Sequence, residues 1–384
     1  MTAQEEPDVA LKLLHTADWH LGLRFPAIAP DQEARLTRAR LEVVSRILDL
    51  ADNSNVDAVL CAGDLFNEPR PEEEWWKGLL AEFTRRSWTR PVILLPGNHD
   101  PLIPGSIYAP TTPFRRGLPA YVHVVDRDDF ALELGTAAVV YATPCRSHAG
   151  QTGLAESLPL REPGDERLRI GLVHGQTFDL KDHQTTFPIA RNAAVDRGLD
   201  YLAIGDTHSF REVEPDAKAP TVYPGAPEAT KFGETDAGQV ALVFFPRDRA
   251  RRAFVERAPV AVWKWKEVSC CSLEELRQLR ADGSLRKTVL RLTLDMRLPL
   301  HEYDEAVRIL AELEGSLAAH PKVGVLITER DRLRLDVTDA SSFTKDLPGV
   351  LQSVVRRLEA KALTEPEKTE RAIHHLYQLV QENR

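Results

Sequence analysis

Three things are scarce in this 384-residue sequence, and each scarcity excludes something. No apolar run approaches the roughly 20 residues that a membrane-spanning helix needs, so no membrane span is expected. Cysteine is limited to Cys61, Cys145, Cys270 and Cys271, without a Cys-x-x-Cys spacing. Adjacent Cys270 and Cys271 are badly placed to pair, which leaves reduced, buried thiols as the expectation. The polar, acidic residues 1–10 carry no signal-peptide pattern, and together these points favour a cytoplasmic protein. Positive charge is also short: 49 Lys+Arg against 58 Asp+Glu give a formal net charge of −9. No general basic character announces a nucleic-acid binder, although carboxylates gathered around metal ions would have the same effect on the total. Internal repeats and low-complexity linkers are missing as well.

What is present is a globular composition, 43% hydrophobic and 28% charged, over a length that suits two or three domains. Apolar runs at residues 11–14, 58–61, 92–95, 122–125, 138–143, 169–173, 201–204, 221–225 and 239–245 read as strands. Between them, Leu36, Ala39, Val43, Ile47 and Leu50 recur at helical spacing over residues 31–53, and Pro71 with Glu72 to Glu74 opens a second helix. Strands alternating with helices predict an α/β core for residues 1–258. The Arg-rich residues 247–257 read as a turn and strand leading out of it. Residues 259–345 predict a small α+β domain, with strands at 260–268, 289–295, 323–328 and 333–337. Its helices are one capped by Ser272 with Glu275 three residues on, and one over 302–318. Residues 346–384 predict two C-terminal helices. Leu347, Val350, Leu351, Val354, Val355 and Leu358 form one apolar stripe, and Ile373, Leu376, Leu379 and Val380 a second. Such stripes either pack on their own domain or dock a partner's helices.

The chemistry lies at the strand ends. The stretch Leu13-Leu14-His15-Thr16-Ala17-Asp18-Trp19-His20-Leu21-Gly22 places a carboxylate and an imidazole one residue apart just past a buried strand. One Asp-x-His is explained by a turn aspartate and a stray histidine. Five such strand ends are not: Asp18 with His20, Asp64 after Gly63, Asn98 with His99 after Gly97, His174 before Gly175, and Asp206 with His208 after Gly205. In open α/β sheets ligands gather at the carboxyl ends of strands, so the five loops can converge. Hard oxygens mixed with borderline nitrogens suit Mn, Fe, Zn or Mg rather than Ca. The set is about right for two ions roughly 3.5–4 Å apart that share a carboxylate, clamp a phosphate and acidify a water for in-line attack. Phosphoester hydrolysis is the expected reaction. His148 and His183 fall in polar loops and read as solvent-facing.

These motifs resemble the calcineurin-like metallophosphoesterases. Within them, residues 15–22, Gly63-Asp64-Leu65-Phe66, Tyr223-Pro-Gly-Ala-Pro-Glu228 and Phe232-Gly-Glu234 are similar to the SbcD-like DNA double-strand-break repair nucleases. The resemblance covers roughly residues 10–250 and implies a four-layer αββα sandwich followed by a capping, DNA-selecting domain. It implies that Asp18, His20 and His208 hold one divalent ion, that Asp64 bridges, and that Asn98, His174 and the position of Asp206 hold the second. Mn2+ is the expected ion, with Mg2+ an alternative. His99 would not ligate but would stabilise the scissile phosphate or protonate the leaving alkoxide. Asp100 would orient the His99 ring or cap a turn.

Two departures stand out. Asp206 replaces the first histidine of the family's Gly-His-x-His, which adds negative charge and pulls the second site toward harder ions. Asn67 stands where related nucleases often carry a histidine, and it can donate a hydrogen bond to phosphate but not a proton. The resemblance further implies DNA as substrate, exonuclease activity, an SbcC-like ATPase of the SMC type docked on the C-terminal helices, and a homodimer contact near residues 102–114. The alternatives are a phosphatase or phosphodiesterase for small phosphoesters, and a catalytically weakened scaffold for the ATPase.

Overall fold

Nearly every apolar run of the first half forms a strand, because each is buried on both faces and therefore reads as continuous rather than alternating. The computed structural model describes residues 8–177, 185–314, 323–336, 344 and 348–382. It divides into two units, Met1–Trp263 and Lys264–Arg384.

In the first unit, β1 (Val9–Thr16), α1 (Pro30–Asn53), β2 (Ala58–Cys61), α2 (Glu73–Thr84), β3 (Val92–Leu94), α3 (Pro113–Gly117) and β4 (Val122–Val124) build a first sheet in which β1 to β4 run parallel. A second sheet takes β5 (Phe130–Leu134), β6 (Ala138–Ala142), β7 (Leu168–His174), then, after α4 (Ala193–Asp196), β8 (Tyr201–Gly205), β9 (Arg211–Val213) and β10 (Thr221–Tyr223). The chain then returns to the first sheet as β11 (Gln239–Pro246), antiparallel to β1, and β12 (Phe254–Pro259). The sheet orders are β12-β11-β1-β2-β3-β4 and β5-β6-β7-β8-β10-β9.

The two sheets face each other. Leu11, Leu13, Ala58, Leu60 and Ile93 of one pack with Val140, Ile170, Leu172, Tyr201 and Ala203 of the other. The strand period of two turns the intervening residues outward. On the second sheet those residues, Val173, Leu202 and Ile204, are covered by Leu154, Leu158, Phe187 and Ala193, so this outer layer is made of short helical turns and loops. Helix α1 buries Leu36, Ala39, Val43 and Ile47 of the stripe read from its sequence, together with Val44 and Leu48, while Leu50 is half-buried. The fold is the αββα sandwich. Ile107, Tyr108 and Phe114 from the Pro/Gly-rich stretch are buried inside this unit.

Two strands escape the sequence pattern. β5 is an edge strand with alternating exposure, turned onto β6 at Gly135. β9 is three residues long, two of them charged, and exists only through its pairing with β10.

In the second unit, β13 (Lys264–Cys270), β14 (Thr288–Leu298) and β15 (Val325–Leu335) form a parallel sheet joined by α5 (Leu273–Ala281) and α6 (Leu300–Glu314). Ser272 Oγ caps α5 by accepting from Glu275 N, while the Glu275 carboxylate reaches past the cap residue to Cys271 N at 2.7 Å. The sequence expectation of two strands over 323–337 is corrected: β15 is one strand, continued past its charged middle by a register shift opposite residues 293–295. Charge does not end it because Glu329 and Arg332 face solvent, the latter 3.4 Å from Asp295. Helices α7 (Gly349–Lys361) and α8 (Pro366–Glu382) follow. Val355 and Ile373 pack with Leu300 and Leu335, whereas Val350, Val354 and Leu379 of the same stripes are exposed. His183, the expected helix end at Ala318, the strand end at Val337, Leu347 and the boundary at 345 lie outside the described residues.

Candidate metal centre

The carboxyl ends of the parallel strands from both sheets meet at one edge. Within the first sheet the loops are stitched by Asp18 N to Gly63 O (3.0 Å) and His20 N to Asp64 O (2.9 Å). Between sheets, Asp206 N donates to the Asp18 carboxylate at 3.1 and 3.2 Å, and the His174 ring Nδ1 lies 2.8 Å from Ala62 O. Glycine is needed here for space. At Gly63, φ is +95°, and a Cβ would stand 2.3 Å from His174 Nδ1; at Gly205 it would stand 2.1 Å from Ala62 O.

The backbone is strained at the same places. Seven described non-glycine residues have positive φ, and four of them are Asp18 (56°), His20 (44°), Asp64 (55°) and Asp206 (104°). Such conformations cost on the order of 1–3 kcal/mol each and persist where the surroundings over-determine them.

The donor atoms converge. His20 Nε2 is 3.2 Å from His208 Nε2 and 3.7 Å from Asp64 Oδ2. His174 Nε2 is 2.9 Å from Asn98 Oδ1, 3.6 Å from Asp64 Oδ2 and 3.9 Å from Asp206 Oδ1. Donor atoms lie within 4.8 Å of one another in the sets Asp18/His20/His208 and Asp18/Asp64/His174. Hydrogen bonds on the far side of two rings aim their lone pairs inward. His174 Nδ1–H donates to Ala62 O, and His208 Nδ1–H donates to Glu234 Oε1 at 2.7 Å, with Thr230 Oγ1 at 2.9 Å. A carboxylate behind a ligating imidazole is the usual way such a ring is oriented and made more basic.

This arrangement fits divalent ions. Inward lone pairs opposed at 2.9 and 3.2 Å repel unless a proton or a cation lies between them. The titration directions carry the same sign. Burial alone would lower the His174 pKa, but Asp64, Asp18 and Asp206 outweigh it and raise it to about 9. Burial is likewise outweighed at His208, which is raised by Glu234 and Asp18. Asp18 is pushed up to about 7, chiefly by burial. Burial also raises Asp206 and, with His208 beside it, lowers His20. His20 Nδ1 is buried with no partner.

His99 and Asn67 stand at the rim. The His99 ring is exposed, edge-on to His20 with centroids 4.8 Å apart, and its Nδ1 is 3.2 Å from Asn67 O. His99 N donates to Asp64 Oδ1 at 2.9 Å. The Asn67 side-chain Oδ1 is buried without a partner. Asp100 does not touch the His99 ring, which corrects that part of the expectation. Its buried carboxylate accepts from Phe66 N (2.9 Å), Gly97 N (2.8 Å) and Tyr108 OH (2.6 Å), fastening the loops after β2 and β3 together.

Three contributors had no assigned role in the sequence. Gln176 Nε2 donates to Asp206 Oδ2 at 2.7 Å, Glu234 orients His208, and the His148 ring Nδ1 lies 2.9 Å from Asn98 O. Only Glu234, inside a quoted motif, offered a signal. A cavity of about 680 Å3, lined by Arg161, Asp200, Phe245, Arg249 and Arg252 among others, contains none of these residues.

A family profile described as calcineurin-like phosphoesterase matches residues 11–210. The chain is 27% identical to an uncharacterised metallophosphoesterase, YhaO, of Bacillus subtilis over 79% of this chain and 78% of that one. It is 25% identical to the D component of the nuclease SbcCD of the same organism, covering 72% and 73%. It is 23% identical to the DNA double-strand break repair protein Mre11 of Methanopyrus kandleri, covering 92% and 78%.

Proposed function

The chain belongs to the calcineurin-like phosphoesterase family, and from that premise we propose that it is a metal-dependent DNA phosphodiesterase, an exonuclease of double-strand-break repair. The observation that carries this reading is the ring of opposed lone pairs and carboxylates at the strand ends with an exposed imidazole, His99, at its rim. Relatives named for a nuclease and for double-strand break repair, matched over most of their length, support DNA rather than a small ester as the substrate.

Asp18, His20 and His208 would hold one divalent ion, Asn98, His174 and Asp206 the other, and Asp64 both. Bound there, the ions supply charge neutralisation for the phosphate and acidify a water, with Mn2+ the ion expected. The chain's own residues do the rest. His208 and His174 keep their lone pairs aimed inward by holding their protons on Glu234 and Ala62 O. His99 keeps its Nδ1–H on Asn67 O, so Nε2 is the atom left to face a phosphate, and in the doubly protonated ring it would carry the second proton, the one that passes to the departing 3′ or 5′ oxygen. The exposed Val350, Val354 and Leu379 support docking of a helical partner of the SMC-ATPase type, in keeping with a relative named as one component of SbcCD.

The test is cleavage of end-labelled linear duplex DNA in Mn2+, beside His99→Ala, with bis(p-nitrophenyl) phosphate in parallel. The expected result is shortening of the wild-type substrate that falls by roughly 10²–10⁴-fold in the variant while bound metal is unchanged. Hydrolysis of the small ester alone, with or without the partner ATPase, would replace the nuclease reading with a small-phosphoester one.

A further inference from the structure

The two halves of the metal centre are chemically unequal, and the inequality has a support of its own. Asp206 occupies the position where a histidine would make the two sets alike. With it, the set Asp64, Asn98, His174 and Asp206 offers three oxygens and one nitrogen, whereas Asp18, His20, His208 and Asp64 offer two of each. The Asp206 carboxylate is not free to swing. Oδ2 accepts from Gln176 Nε2 at 2.7 Å, while Oδ1 faces His174 Nε2 at 3.9 Å.

Gln176 is itself fixed: its N–H donates to Phe187 O at 3.2 Å, and its carbonyl accepts from Ile189 N at 2.8 Å. Asp206 is held at the other end by its N–H on Asp18. A neutral amide donor occupies one carboxylate oxygen without cancelling the charge, so Asp206 presents the other oxygen singly. A single charged oxygen beside an amide oxygen and a shared carboxylate suits a small, hard ion that takes oxygen ligands one at a time.

We propose that Gln176 is a positioning residue that turns Asp206 into a one-oxygen ligand, and that this pocket thereby selects Mg2+ or Mn2+ over Zn2+ while its neighbour takes a borderline ion. The proposal rests on the reading that the cluster binds two ions. The chain therefore carries a mixed-preference centre in which a substitution in a shared motif and a glutamine two residues beyond another ligand act as a pair.

The test is calorimetric titration of the chelator-stripped full chain with Mg2+, Mn2+ or Zn2+ alone, with Mn2+ paramagnetic resonance to count ions, on wild type, Gln176→Leu and Asp206→His. In wild type two Mn2+ ions bind, and Mg2+ competes for only one of them. In Q176L the affinity for that one ion falls about 10- to 100-fold while the other is unchanged, the range seen when the partner of a ligand is removed. In D206H, Mg2+ no longer competes and Zn2+ gains at the same step. Identical Mg2+/Zn2+ preference in wild type and D206H, or unchanged Mg2+ affinity in Q176L, overturns the proposal with the two-ion reading intact, and Gln176→Asn, whose amide is too short to reach Asp206 in the same way, takes the place of Q176L if that variant does not fold. Failure of wild type to bind any of the three ions overturns the two-ion reading itself.

Discussion

At the scale of single residues, the candidate metal centre depends on side chains behind the donor residues as much as on the donors. Glu234 is the sharpest case. Burial would raise its pKa, but its hydrogen bonds to His208 and Thr230 and the charge of His208 hold it down at about 2. Glu234→Gln keeps the shape and removes the charge, so the His208 ring loses both its fixed tautomer and some basicity. The expected outcome is a metal affinity lower by about 10- to 100-fold, read by Mn2+ calorimetry. The candidate ligands were visible in the sequence because each sits in a short motif at the end of an apolar run. The roles of Gln176 and Glu234 were not, and of Asp100 only the turn cap at Gly97 N was. A carboxylate's partner is decided by which loops meet across two sheets, and no local pattern encodes that meeting. Asp100 shows the point, since its neighbour His99 suggested one partner and the fold supplied three others.

At the scale of elements, the loop after β2 and the loop after β3 behave as one piece because Asp100 joins them. Asp100→Ala leaves the buried Phe66 and Gly97 amides and the Tyr108 hydroxyl unsatisfied. Each of the three orphaned groups costs about 1–3 kcal/mol, so a loss of roughly 3–9 kcal/mol is expected in urea unfolding. The same variant should also weaken metal binding, since Asp64 and Asn98 lose their common anchor, although neither ligand is touched. Where sequence reading succeeded at this scale, burial on both faces made the strand obvious, as in β2 and β7. It failed where an element owes its existence to one neighbour: β5 and β9 are edge strands with polar faces, and β15 runs through charges that point to solvent.

At the scale of the whole molecule, charge links stability to metal. In the folded, metal-free protein His174 titrates at about 9 and His208 is also raised above its ordinary 6.5. The folded state therefore holds extra protons, and their stabilisation is complete below pH 6.5 and lost as pH climbs through 9. His15, lowered to about 3 by burial, has the opposite sign, but its effect is confined to pH below 6.5. Above that pH, Tm in chelator should fall as pH rises to about 9. Mn2+ should flatten or reverse the slope, because the ion needs the same donors deprotonated. Scanning calorimetry from pH 6.5 to 9.5 with and without Mn2+ checks this, and parallel curves would separate the cluster from metal binding.

The sandwich has one more consequence, which concerns time. Asp18 and Asp206, like His20 and His208, are 188 residues apart and come from opposite sheets. A nascent chain that has released only β1 to β4 carries Asp18, His20, Asp64, Asn98 and His99 but neither His174 nor His208, the imidazoles that face them from the second sheet. The full donor set comes together only after the second sheet has closed on the first. An interaction that forms after the rate-limiting step delays unravelling without hastening assembly. Ions held by residues from both sheets would therefore act as a latch that lengthens the life of the finished protein.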